Sequence, residues 1–125
     1  MLLLLYFTFL RAAGLVTIGK SQGNCGSCAA FAATATLEVC LAKAGTPLSG
    51  LDIAEQQSID CGYNANSMNG CNGAWPGAYE QFMASSGKQN SHEAQYPYQE
   101  RTPNLQCQNN PTWSTGTKVK RAIGM

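Results

Sequence analysis

The alternation of apolar and polar positions divides the chain into a few elements. Leu2–Leu10 is a nearly continuous apolar run, and Leu15–Ile18 reads as a short extended piece. From Ser21 to Gly45 the chain becomes strongly helical. Ala29, Ala30, Ala32, Ala33 and Ala35 are good helix formers without bulk. Phe31, Ala35 and Glu38 share one side. Gly45 and Pro47 end the helix. So much alanine lets neighbours approach closely, which predicts a central, mostly buried helix. Leu48–Asp52 reads as a loop and Ile53–Asp60 as a short helix, with Asp52 and Glu55 spaced for a capping box. A polar loop over Gly62–Asn69 leads to a tight segment over Gly70–Ala74. Pro76–Ser85 is the third predicted helix: Pro76 suits its first position, and Tyr79, Phe82 and Met83 form a packing stripe. Gly87 ends it, Lys88–Gln95 is loop, and Arg101–Ser114 is turn-like and polar. Thr115–Met125 begins a strand, with Thr117, Val119 and Arg121 on one side and Lys118 and Lys120 on the other.

Composition narrows the classes. A chain of 125 residues with 44% hydrophobic content makes one modest domain. Net charge is only +1 and charged residues are 12%, so nothing argues for nucleic-acid binding. Six cysteines in so short a chain point to an oxidising compartment, and unaided they leave fifteen full pairings open. The run Leu2–Leu10 is too short for stable membrane insertion. It reads as a short signal peptide, a first strand or a misplaced gene boundary, and the sequence leaves these open. No N-x-[ST] acceptor is present, because Asn110 is followed by Pro111.

The most specific chemistry lies at the mouth of the alanine-rich helix. Ser27 falls near its N-cap and Cys28 in its first turn. A thiol there faces free N–H groups and the positive end of the helix dipole, both of which favour the nucleophilic thiolate. Cys25 and Cys28 also form a C-x-x-C, a redox signature when it follows a strand of a βαβ unit. No such layout is visible. His92, the one histidine, reads as a turn or surface residue.

The segment QGNCGSC (Gln22–Cys28) followed by AF resembles the active-site segment of papain-like cysteine peptidases, whose signature is C-G-[SA]-C-[WY]. Ala29 stands where the aromatic is expected. AEQQSIDC (Ala54–Cys61), GCNGAW (Gly70–Trp75) and YPYQE (Tyr96–Glu100) resemble further blocks of the family, in family order. Ser58 stands at a usual leucine, which implies a looser or shifted helix, and Ala74 at a usual glycine. The resemblance implies an α+β, mainly helical fold: the left-hand domain of the papain-like fold with its long central helix, without the β-rich right-hand domain. It divides the chain into an apolar segment 1–14, the left-hand domain 15–114 and a crossover 115–125.

The same resemblance implies Cys28 as nucleophile and Gln22 as oxyanion-hole donor. It implies a substrate-cleft wall from Gly73, Ala74, Trp75 and Pro76, although Trp75 reads equally as core. It implies disulfides Cys25–Cys71 and Cys61–Cys107, with Cys40 a second free thiol buried as a small hydrophobe. It calls for no cofactor and no metal. A thiolate–imidazolium pair is needed for turnover, and the signature puts His and Asn roughly 130–150 residues beyond the cysteine. The chain ends 97 residues after Cys28, so neither is expected in it. The implied activity is hydrolysis of peptide bonds in a peptide or protein substrate, with the chain inactive alone and a second domain or chain supplying His and Asn. The alternative is a half-domain pseudoenzyme that binds a peptide or protein partner. The compartment implied is secreted or a lysosomal or vacuolar lumen.

Overall fold

The computed structural model describes residues 2–63, 68–85, 90–102 and 107. The expected strand over Thr115–Met125 and most of the Arg101–Ser114 turn lie outside them. Four helices follow in order: α1 Leu2–Ala12, α2 Cys28–Lys43, α3 Glu55–Gly62 and α4 Pro76–Ser85. Among the described residues β-pairing is confined to two isolated bridges, Gly26 with Asn72 in parallel and Ile53 with His92 antiparallel. The mainly helical architecture follows the expectation.

The apolar opening run is a helix rather than a first strand. Its leucines are unbranched at Cβ and lose little rotamer freedom in a helix. α1 and α2 stop in the same way. Gly14 (φ 68°) follows α1: its N–H donates to Arg11 O at 3.0 Å, and Leu15 N donates to Leu10 O at 3.0 Å. Gly45 (φ 98°) follows α2, with Gly45 N on Ala42 O at 3.1 Å and Thr46 N on Leu41 O at 2.9 Å. Both are Schellman caps, and the left-handed residue each needs is the glycine.

α2 is the centre of the molecule and packs against both α4 and α3. Its buried stripe runs through Ala30, Ala33, Thr34, Leu37 and Leu41. Two alanines in that stripe leave room for Tyr79 and Met83 of α4, which join Ile53, Ile59 and Met68 in one core. The Tyr79 hydroxyl is buried there without a hydrogen-bond partner, and burial pushes its pKa up to about 12. Cys40 lies at the edge of the stripe and is half-buried, not buried as expected.

α3 begins at Glu55, two residues later than the sequence suggests, and no capping box forms. Ala54 occupies the N-cap with no side-chain bond, and Ile53 is drawn into its bridge with His92. The carboxylates that would have capped the helix serve Lys20 instead. Lys20 Nζ donates to Glu38 Oε1 at 3.0 Å, Glu55 Oε1 at 2.7 Å and Ile53 O at 3.1 Å. These use all three of its protons. Asp52 Oδ1, at 2.7 Å, is therefore an ion-pair neighbour left without a hydrogen of its own. Burial alone would lower the Lys20 pKa, but Asp52, Glu55 and Glu38 outweigh it and hold the ammonium well above its ordinary range. For Glu55 burial prevails and raises the carboxyl, even with Lys20 and Thr34 bonded to it.

Candidate active site

The site is assembled where the loop before α2 meets the Gly70–Trp75 segment. Cys25 is bonded to Cys71, and Gly26 N donates to Cys71 O at 2.9 Å. A side chain at position 26 would collide with that carbonyl, so the approach requires glycine. The C-x-x-C is thus not a disulfide pair: Cys25 is buried and bridged elsewhere, while Cys28 is free and exposed. This arrangement removes the ground for a redox role.

Cys28 is the first residue of α2, so its N–H has no acceptor within the helix. Ser27 precedes it at the N-cap, with φ −99° and ψ 17°, but its hydroxyl does not cap the helix. It lies 2.7 Å from the Tyr98 hydroxyl. Gln22 Nε2 donates to Cys25 O at 2.9 Å, which turns its amide toward the same loop. Tyr98 donates to Gln22 O at 2.7 Å and sets its ring edge-on to Phe31, with centroids 5.0 Å apart. Asn24 N donates to the Glu100 carboxylate, which also packs against Gly23. Glu100 is held at φ 54°, a conformation that residues with a side chain rarely adopt.

The Gly70–Trp75 segment runs beside this loop through the disulfide and the Gly26–Asn72 bridge. Asn69 N donates to Gly73 O at 3.1 Å and Asn72 N to Asn69 O at 3.0 Å, a tight turn in which Gly73 has φ 96°. Ala74 is half-buried against the core. Trp75 is 72% exposed, with its ring over Gly77, so its core reading is overturned. Pro76 opens α4. The second disulfide, Cys61–Cys107, joins the end of α3 to a point beyond the Tyr96–Thr102 turn.

The structure therefore gathers Gln22, Cys25, Ser27, Cys28 and Cys71, and sets Gly73, Ala74 and Trp75 alongside. His92 lies elsewhere: its backbone bridges Ile53, and its carbonyl accepts from Gln95 and Tyr96. Sequence reasoning missed Tyr98 and Glu100 as parts of the site. Their only trace in the sequence is a proline-centred turn, which carries no sign of where its side chains point. Among the described residues no three metal-ligating side chains cluster.

Together the alanine-rich central helix, the exposed thiol at its tip and the bridged glycine-rich segment define a helical domain of a cysteine-protease fold. The sequence profile described as papain family cysteine protease matches residues 9–124, and the chain belongs to that family. Cysteine proteinase 2 of Zea mays is 40% identical over 90 residues, covering 71% of this chain and 24% of that one. Thiol protease aleurain of Arabidopsis thaliana is 32% identical over 126 residues, covering 92% of this chain and 34% of that one. Among solved structures, the bromelain protease of Ananas comosus in complex with the E64 inhibitor aligns with a TM-score of 0.62 at 36% identity. That alignment covers 80% of this chain and 42% of that one. The chain thus spans 24% and 34% of the length of these two curated relatives.

Proposed function

We propose that this chain is the nucleophile-bearing half of a peptidase that cleaves peptide bonds through Cys28. The Cys28 sulfur attacks the scissile carbonyl carbon. The carbonyl π pair moves to oxygen, where Gln22 Nε2 and the Cys28 N–H receive the negative charge. Gly73, Ala74, Trp75 and Pro76 form one wall of the substrate cleft. The general acid that protonates the leaving amine, and the asparagine that orients it, come from a second domain or chain; His92, whose backbone pairs with Ile53, is not part of the loop that carries Cys28. The 125-residue chain alone has very low peptidase activity, and its setting is a secreted or lysosomal-type compartment. One observation carries this reading: of two cysteines three apart, the buried one is locked to Cys71 and the exposed one is left free on the helix tip.

E64, the inhibitor bound in the bromelain structure, supplies the test. Intact-mass and peptide mapping after treatment are expected to place a single adduct on Cys28 and none on Cys40. An adduct on Cys40 alone, or no adduct at either thiol, sinks the reading. A second reading, a half-domain that binds a peptide or protein partner without turnover, is favoured by the exposure of Ile18 (81%) and Trp75. The mass of the natural product separates the two: a longer polypeptide holding a further histidine and asparagine supports the enzyme.

A further inference from the structure

Tyr98 is bound to the two residues on either side of the proposed chemistry. Its hydroxyl lies 2.7 Å from Gln22 O and 2.7 Å from Ser27 Oγ. A phenol has one proton, and a carbonyl can only accept, so that proton goes to Gln22 O. The Ser27 hydroxyl is then the donor in the second bond, whose 2.7 Å is much shorter than its 3.4 Å approach to Cys25 O. Gln22 is thereby held at both ends, with its carbonyl on Tyr98 and its side-chain amide on Cys25 O. Ser27, the residue directly before Cys28, is held by the same phenol. The phenol is itself fixed. Its ring packs edge-on against Phe31, its N–H donates to Glu93 Oε1 at 2.6 Å, and its neighbour Gln99 donates to Gln56 Oε1 at 3.0 Å.

We propose that Tyr98 is a positioning residue: through one hydroxyl it sets the spacing between the Gln22 amide and the Cys28 N–H, and so the geometry of the oxyanion site. The inference rests on the peptidase reading of Cys28 and Gln22. Burial, together with the charges of Glu100 and Glu55, raises the Tyr98 pKa even though Ser27 donates to it, so the phenol keeps the proton that it gives to Gln22.

The test compares two reagents on the full chain. An N-acetyl dipeptide aldehyde adds to the thiol: a C–S bond forms, the C=O π bond breaks, and the thiol proton ends on the former carbonyl oxygen or in solvent. That oxygen sits where Gln22 and the Cys28 N–H are aimed. Iodoacetamide alkylates the same sulfur with loss of iodide and generates no oxyanion. Removing one oxyanion donor costs ~100–1,000-fold in turnover, so displacing one is expected to weaken the aldehyde by roughly tenfold. Tyr98→Phe should show that loss by calorimetry, while its iodoacetamide rate stays within about twofold of the parent. Phe31→Leu removes the ring contact and keeps both hydrogen bonds, so it should weaken the aldehyde far less than Tyr98→Phe does. If Phe31→Leu weakens the aldehyde as much as Tyr98→Phe, the role is packing and the proposal is overturned. Unchanged affinity in Tyr98→Phe overturns it as well. Failure of the parent chain to bind the aldehyde sinks the peptidase reading first, and this inference with it.

Discussion

Lys20 has three protons to give and four oxygens around it, two of them on buried carboxylates, Glu38 and Glu55. Removing the ammonium leaves those charges in a poorly solvated place with Thr17, Thr34 and the Ile53 N–H as their remaining donors. Breaking a buried pair from one side costs about 3–5 kcal/mol. Lys20→Met should therefore lower stability by that order in urea unfolding, whereas Lys43→Met, at an exposed position, should stay within about 0.5 kcal/mol. The pH dependence has a definite sign. In the parent, the Lys20 pKa is raised above 10.5, so its contribution is complete below 10.5 and fades as pH rises through the folded value. In the variant, the lowering effect of Lys20 on Glu55 is gone. The folded state then binds a proton at Glu55 more tightly still than the unfolded state does at 4.5. Lys20→Met should accordingly regain stability as the solution is acidified toward that value. No recovery in acid would show that the carboxylates are better solvated than their burial implies.

At the scale of elements, α3 is a polar helix in a buried place. Glu55, Gln56, Gln57, Ser58 and Ile59 are all buried. Its glutamines act as anchors for the chain that crosses it. Gln56 donates to Arg101 O at 3.1 Å and accepts from Gln99 N, while Gln57 accepts from Ser91 N at 2.6 Å. Tyr96 adds a bond from its hydroxyl to Asp60 Oδ2 at 2.7 Å. The segment that presents Tyr98 and Glu100 to the site is thus held by side chains, not by a sheet. Gln56→Leu leaves two backbone groups without partners, each costing about 1–3 kcal/mol where water cannot replace the lost bond. Trypsin should then cut after Arg101 several-fold faster, with cleavage after Lys43 unchanged. Equal rates at both sites in parent and variant would mean that the segment is held by something else. This arrangement also explains what could be read in advance. α2 and α4 were legible because an alanine run, Gly45 and Pro76 act on their immediate neighbours. The Lys20 cluster was not, since its partners lie 18 to 35 residues away and only folding brings them together. The start of α3 was misjudged for the same reason: Asp52 and Glu55 fit a local cap, and a distant ammonium outcompetes it. Trp75 had no local signal to decide between core and surface. The Cys25–Cys71 bridge and the free Cys28 thiol were legible through the family resemblance, and the hydrogen bonds of Tyr98 were not, because a tyrosine after a proline turn gives no direction.

Across the whole molecule, the two disulfides provide a controlled comparison. Cys25–Cys71 and Cys61–Cys107 each join residues 46 apart in sequence. In the chain-entropy model, a loop of that size contributes about 4 kcal/mol, and the loop length is the same for both. What differs is the neighbourhood. Cys25 carries the carbonyl that orients Gln22, and its bridge brings Gly26 onto Cys71 and the Gly70–Trp75 segment beside the loop that leads into Cys28. Cys61–Cys107 instead ties the end of α3 to the chain beyond Thr102. Replacing either pair with alanines should lower the urea midpoint by a similar amount. Only Cys25→Ala with Cys71→Ala should also weaken the peptide aldehyde, because only that pair leaves Gln22 and the glycine segment free to drift from the thiol. Cys61→Ala with Cys107→Ala should keep the aldehyde affinity of the parent under conditions where it is folded. Equal loss of affinity in the two double variants would mean that the site senses global stability alone, and the division between a bridge that builds the site and one that closes the domain would fall.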